Sequence, residues 1–111
     1  MDSETRLDNN IFIIKLRGEL MGGAEVNKFR KIIDEAIASE HVNVVIDMSN
    51  VTWMNSSGLG MLVSALTSLR SSGGDMKLAA LTERLRRPLQ ITKLDSVFEE
   101  FSTIETAINS Y

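Results

Sequence analysis

The chain has 111 residues, 43% of them hydrophobic and 24% charged, and a net charge of −3, which suits one compact domain with its own core and gives no strong field for nucleic acid or an anionic membrane. It has no cysteine, so disulfides, thiolate metal sites and cysteine nucleophiles are excluded, and its single histidine, His41, cannot build a metal site or a hydrolase triad by itself. No apolar run reaches membrane-spanning length and the start, Met1-Asp2-Ser3-Glu4, is acidic where a secretory signal is basic, so a cytoplasmic protein without membrane insertion is expected.

In chain order, residues 11–16 (Ile-Phe-Ile-Ile-Lys-Leu) read as a strand. Phe12, Ile14 and Leu16 share one face and Ile11, Ile13 and Lys15 the other. Arg17-Gly18 is expected to end it. A weaker strand over residues 5–7 would precede it through a hairpin at Asp8-Asn9-Asn10. Gly22-Gly23 frees the backbone before a helix over residues 24–39, whose stripe is Val26, Phe29, Ile33, Ala36 and Ile37. Residues 42–48 are almost continuously apolar, the pattern of a central strand covered on both faces.

A short polar turn is expected next, and after residues 55–60 a second helix with the stripe Leu59, Leu62, Leu66 and Leu69. Ser71-Ser72-Gly73-Gly74-Asp75 stops that helix. Residues 76–81 read as a strand. Thr82 opens a short helix with Pro88 near its first turns, and Arg84, Arg86 and Arg87 read as a solvated face of it. Val97, Phe98 and Phe101 suggest an edge strand. Thr103 caps a last helix through Ile104 and Ile108, although Thr103-x-x-Thr106 lacks the acidic partner of a full capping box. Alternating strands and helices predict an α/β domain with helices on a small sheet.

The most informative stretch is Asp47-Met48-Ser49-Asn50-Val51-Thr52-Trp53-Met54-Asn55-Ser56-Ser57-Gly58-Leu59-Gly60. Ser56 and Ser57 fall at a helix start, where unpaired N–H groups and the positive end of the helix dipole favour an anion. A serine there can cap the helix, worth about 1 kcal/mol over alanine, or carry a phosphate of about −1.5 to −2 charge. Trp53 and Met54 precede the pair closely. Exposed, they would rim a recognition surface; buried, they belong to the core. Met61 flanks the turn from the other side and has the same two readings. Gly58-Leu59-Gly60 lacks the third glycine of a dinucleotide loop and no Walker lysine follows, so close packing of helix on strand explains it better than nucleotide binding.

These residues carry a resemblance. Residues 47–60 closely resemble the signature of STAS domains, and within them the bacterial anti-sigma factor antagonists. Weaker echoes are Gly18-Glu19-Leu20, Gly73-Gly74 and Thr82-Glu83-Arg84-Leu85, in the expected order. The resemblance implies a single STAS domain over residues 1–111, with a mixed sheet of four or five strands and about four helices. It implies a non-enzymatic regulator without cofactor or metal, a monomer or weak dimer. Its partners would be an anti-sigma factor with serine kinase activity and a serine phosphatase, and it would act in partner switching and stress signalling. The family's phosphorylated residue maps to Ser56, with Ser57 as the alternative and capping neighbour. The partner-binding surface would comprise Met21, Trp53, Met54, Asn55, Ser56, Ser57, Gly58, Leu59 and Met61. Two positions depart from the family's pattern: Asn55 and Met21 stand where aspartates are usual. They leave a second expectation, a non-phosphorylated STAS scaffold subunit of a transporter or stress-signalling complex.

Overall fold

In the computed structural model, which describes residues 1–111, β1 (Asp2–Asp8) and β2 (Ile11–Leu20) pair antiparallel. The hairpin turns on Asn9 and Asn10, both at positive φ, which this turn demands and asparagine tolerates. β3 (Asn43–Met54), β4 (Asp75–Ala79) and β5 (Glu99–Phe101) follow, each parallel to its predecessor, giving the order β1-β2-β3-β4-β5. The crossovers are α1 (Ala24–Ala38), α2 (Ser56–Ser71) and α3 (Glu83–Ile91), the last followed by a 3-10 turn at Leu94–Ser96. α4 (Ile104–Asn109) closes the chain. The predicted mixed α/β architecture is the observed one.

Neighbouring parallel strands joined in sequence by connections of one hand place their helices on one face of the sheet. The larger core lies there. Ile14, Leu16, Val44, Ile46 and Met48 of the sheet meet Phe29 and Ile33 of α1, Leu62, Leu66 and Leu69 of α2, and Leu85 and Leu89 of α3. On the opposite face, Ile11, Ile13, Val45 and Ala79 pack beneath Ala107 of α4. The alternation read from residues 11–16 therefore holds.

Several boundaries differ from the sequence expectation. β1 spans Asp2–Asp8 instead of residues 5–7, β4 stops at Ala79, before the positive φ of Ala80, instead of running to residue 81, and the edge strand is only Glu99–Phe101. β2 does not end at Arg17-Gly18 but continues to Leu20, because Gly18 takes φ +88° and the pairing with β3 resumes beyond it. β3 runs six residues further than residue 48, to Met54, so the expected polar turn is strand and helix meeting across Asn55 alone. Residues 56–60 are already helical. At α4 the missing acid of the capping box is replaced by a hydroxyl. Thr103 Oγ1 accepts from the Thr106 N–H at 3.1 Å and the Thr103 N–H donates to Thr106 Oγ1 at 3.3 Å.

α4 has six residues, too few to be stable alone, and the residues just after it hold it down. The Tyr111 hydroxyl donates to the Val44 carbonyl at 2.6 Å and accepts from the Val44 N–H at 3.1 Å. The buried Lys77 ammonium lies 4.0 Å from the centre of the Tyr111 ring and donates to Ser110 Oγ at 2.6 Å. Burial, with the charge of Asp75 adding to it, pushes the Tyr111 phenol well above its ordinary pKa. The folded chain thus holds it neutral, a stabilisation complete below about pH 10 and lost as pH rises above that. Tyr111→Phe removes both bonds to Val44 and is expected to cost about 1–2 kcal/mol near neutral pH. Urea denaturation of variant and wild type should show the gap narrowing in alkali. A constant gap would mean the phenol's protonation is not linked to folding.

Candidate functional site

The site is built where the ends of β2 and β3 deliver their chains to α1 and α2. Leu20 and Met54 are register partners at the last step of the β2–β3 ladder. From there, Asn55 makes four bonds, two to the end of β2 and the residue after it and two to the first turn of α2. Its N–H donates to the Leu20 carbonyl at 3.2 Å, and its own carbonyl accepts the Leu59 N–H at 2.9 Å. Its side-chain Oδ1 accepts from the Gly58 N–H at 2.8 Å, and Nδ2 donates to the Met21 carbonyl at 3.0 Å. The helix cap expected of a serine is therefore made by Asn55. The reason is positional: Asn55 is the last extended residue, at φ −97° and ψ −177°, and that is the conformation an N-cap requires.

With the cap supplied by Asn55, Ser56 and Ser57 are the first two residues of the helix and both are exposed. The first turn of α2 contains no acidic residue, so the positive end of its dipole is not neutralised locally. Gly22, at φ +86°, brings the β2–α1 connection so close to Ser57 that a Cβ on it would stand 2.6 Å from the serine Cβ. The neighbouring acid, Glu25 in the first turn of α1, is bonded to the Met1 amino group at 2.5 Å, which holds its carboxyl below the usual range.

The residues expected to form the partner surface divide into two sets. Ser56 and Ser57 are exposed, as are Trp53 at 44% and Met21 at 42%, and Asn55 is half-buried between them. Met54, Gly58, Leu59 and Met61 are buried. Gly58 is pressed against the Leu20 backbone. Met54, Leu59 and Met61 belong to the larger core. α2 is wedged between the sheet and α1, with Met61 and Ala65 facing Phe29 and Ile33, so its buried face is wider than one leucine stripe. These residues support the turn from below.

Sequence reasoning missed what flanks Trp53. Arg84, Arg87, Pro88 and Ile91 of α3 line a groove of about 500 Å³ with that tryptophan. The available signal was Ile91, an apolar residue off the buried stripe of Leu85 and Leu89 and 74% exposed.

A family model described as the STAS domain matches residues 2–107. Among relatives, a candidate anti-sigma factor antagonist of Thermotoga neapolitana is 33% identical over 72% of this chain and 72% of its own. The anti-sigma-B factor antagonist of Listeria monocytogenes is 33% identical over 65% of this chain and 63% of its own. Among solved structures, that of a candidate anti-sigma factor antagonist from Thermotoga maritima superposes with a TM-score of 0.88 at 27% identity, covering 97% of this chain and 92% of that one. No helix here is long and apolar enough to cross a membrane.

Proposed function

Because the chain belongs to the STAS domain family, we propose that it acts as an anti-sigma factor antagonist switched by phosphate on Ser56. It binds, in this reading, an anti-sigma factor that is also a serine kinase. That partner transfers the γ-phosphoryl group of ATP to the Ser56 hydroxyl, with ADP as the leaving group, and is thereby released; a serine phosphatase hydrolyses the phosphate to reset the turn, and the chain itself catalyses nothing. The action is cytoplasmic and contacts no nucleic acid.

The observation that carries this reading is the exposed Ser56 hydroxyl on the first residue of a 16-residue helix whose cap is already supplied by Asn55. Ser56 is free for chemistry without cost to the fold. A phosphate there meets the helix N-terminus favourably, while a partner packed against Trp53 and Met21 meets about two added negative charges. Binding is thus lost with the domain still folded. The experiment is capture of the anti-sigma factor from the protein's own cells. Ser56→Ala should retain it. Ser56→Asp should weaken it on the order of a hundredfold, the equivalent of about 2.7 kcal/mol. Retention by Ser56→Asp at wild-type strength would sink the switch.

Asn55 favours a second reading, an unphosphorylated STAS scaffold within a transporter or stress-signalling complex. Its amide makes the turn uncharged and bonds it to Met21, where the family's pattern has acids. Phosphosite mass spectrometry on the protein from its own cells, with and without stress, separates the two. Phosphate on Ser56 supports the switch, phosphate on Ser57 moves it by one residue, and no phosphate under either condition favours the scaffold.

A further inference from the structure

The groove beside Trp53 has a chemistry of its own. Its walls are apolar, with Trp53 on the end of β3 and Pro88 and Ile91 on α3, and its rim is cationic, with Arg84 and Arg87. Ile91 is 74% exposed and Trp53 44%. Tryptophan and arginine are the side chains most enriched where binding energy concentrates. The third arginine of α3, Arg86, is engaged by Glu83 and Glu100. Arg84 and Arg87 form no ion pair. The Arg84 guanidinium lies over the end of β3, with Nη1 3.5 Å from the Thr52 carbonyl. In a chain of net charge −3, two unpaired cations on adjacent turns of one short helix, beside two exposed apolar side chains, form a locally positive and apolar patch.

We infer that this groove takes an acidic segment of a protein partner, one carrying a large apolar side chain between carboxylates. The apolar side chain lies between Trp53 and Ile91, and the carboxylates reach Arg84 and Arg87, whose guanidinium forks match them. The groove, about 500 Å³ and open on one side to solvent, has room for one large side chain. Nucleic acid is the poorer match, since two arginines neutralise too few phosphates to hold a strand against a net negative chain. An anionic membrane is also poorer, since each surface cation adds only about 1 kcal/mol. Charge complementarity thus selects the acidic peptide. Trp53 lies three residues before Ser56, so the groove extends the binding face proposed above. The inference rests on that reading for the source of the segment, the anti-sigma partner, and not for its chemistry.

Trp53 is the only tryptophan in the chain, so its emission reports occupancy without a label. The probe is a synthetic octapeptide of glutamates and aspartates around one central phenylalanine. Its controls are the same peptide with lysines for the acids, a single-stranded oligonucleotide, and phosphatidylglycerol vesicles. The acidic peptide should shift Trp53 emission saturably. Arg84→Glu with Arg87→Glu should weaken it at least about tenfold, and Ile91→Ser about threefold, in variants whose far-ultraviolet circular dichroism matches wild type. No saturable shift, unchanged affinity in the charge-reversed protein, or tighter response to the lysine peptide, oligonucleotide or vesicles would overturn the inference. None of these results bears on the serine switch, which Ser56→Asp tests separately. Peptide binding that persists after the switch has failed would leave the groove standing alone.

Discussion

Gly58→Ala is expected to lower the stability of the folded chain by about 3 kcal/mol, enough to move the melting temperature down by roughly 10 °C or more. Gly60→Ala, two residues on, should be neutral or stabilise by up to about 1 kcal/mol. Both glycines lie in the first turns of α2, and by propensity alone both should improve on becoming alanine. They differ in what a methyl group would meet. At Gly60 nothing lies within 4 Å. At Gly58 a Cβ would stand 2.7 Å from the Leu20 carbonyl carbon, 2.9 Å from the Leu20 Cβ, and closer still to the carbonyl oxygen. Most of that obstacle is backbone, and it is pinned: the Leu20 carbonyl accepts the Asn55 N–H. Relieving the clash means moving the helix start off β2, which breaks the Asn55 bonds as well. Thermal denaturation of the two variants side by side checks the argument. Equal melting temperatures would mean that the α2 start yields without cost. Since Ser56 rides on the same turn, Gly58→Ala should also impair partner capture, and Gly60→Ala should not.

That contrast shows where sequence reading stops. The strands and helices came from period-2 and period-3.6 patterns, and those patterns were clean wherever the core enforced them. They failed over residues 49–54. Buried Val51 and Met54 are three apart there, with exposed Thr52 and Trp53 between them. The cause is in the ladder. Gly18 pairs with Val51 but Glu19 with Trp53, so Thr52 is an extra residue, and a second irregularity lies between Lys15 and Arg17. Each bulge shifts the alternation by one residue, and polar residues at the shifted positions read as a turn. β4 pairs with β3 only as far as Asp47, so the later part of β3 has one open edge and tolerates serine and asparagine.

The site was legible in its residues more than in its geometry. The turn, the two serines and Trp53 could be chosen from the sequence, because a polar pair at a helix start behind two large apolar residues is an unusual pattern. Which of those apolar residues faces outward was not legible, because the bulge at Thr52 decides it. Met61 was ambiguous for another reason: α2 is covered by α1 as well as by the sheet, so a residue beside the leucine stripe is also buried. The groove was invisible because its two walls, β3 and α3, are adjacent only after folding. Asn55 illustrates the opposite case. Its identity departs visibly from the family's pattern, but its role depends on the Met21 carbonyl, which the chain brings back from 34 residues away.

Asn55→Asp is therefore the substitution with most to say about this turn. Aspartate and asparagine are equivalent as N-caps, and a carboxylate oxygen would accept the Gly58 N–H as Oδ1 does now. What it cannot do is donate. The bond from Nδ2 to the Met21 carbonyl is replaced by two oxygens facing each other, and the β2–α1 connection loses its tie to α2. The expected cost is about 1 kcal/mol at neutral pH, against about 2 kcal/mol for Asn55→Ala, which loses cap and tie together. The pH dependence separates this account from a simple charge effect. A protonated carboxyl has the donor and acceptor of the amide, so it can bond both Met21 and Gly58. The folded state then favours the neutral acid, and the carboxyl's pKa rises on folding. Stability of Asn55→Asp should match wild type below about pH 4 and fall behind it as pH rises through the carboxyl's titration. Urea denaturation at several pH values would show it. A variant that instead gains on wild type as pH rises would mean that the helix dipole outweighs the Met21 bond. The amide would then serve to keep the turn uncharged, not to tie it to β2.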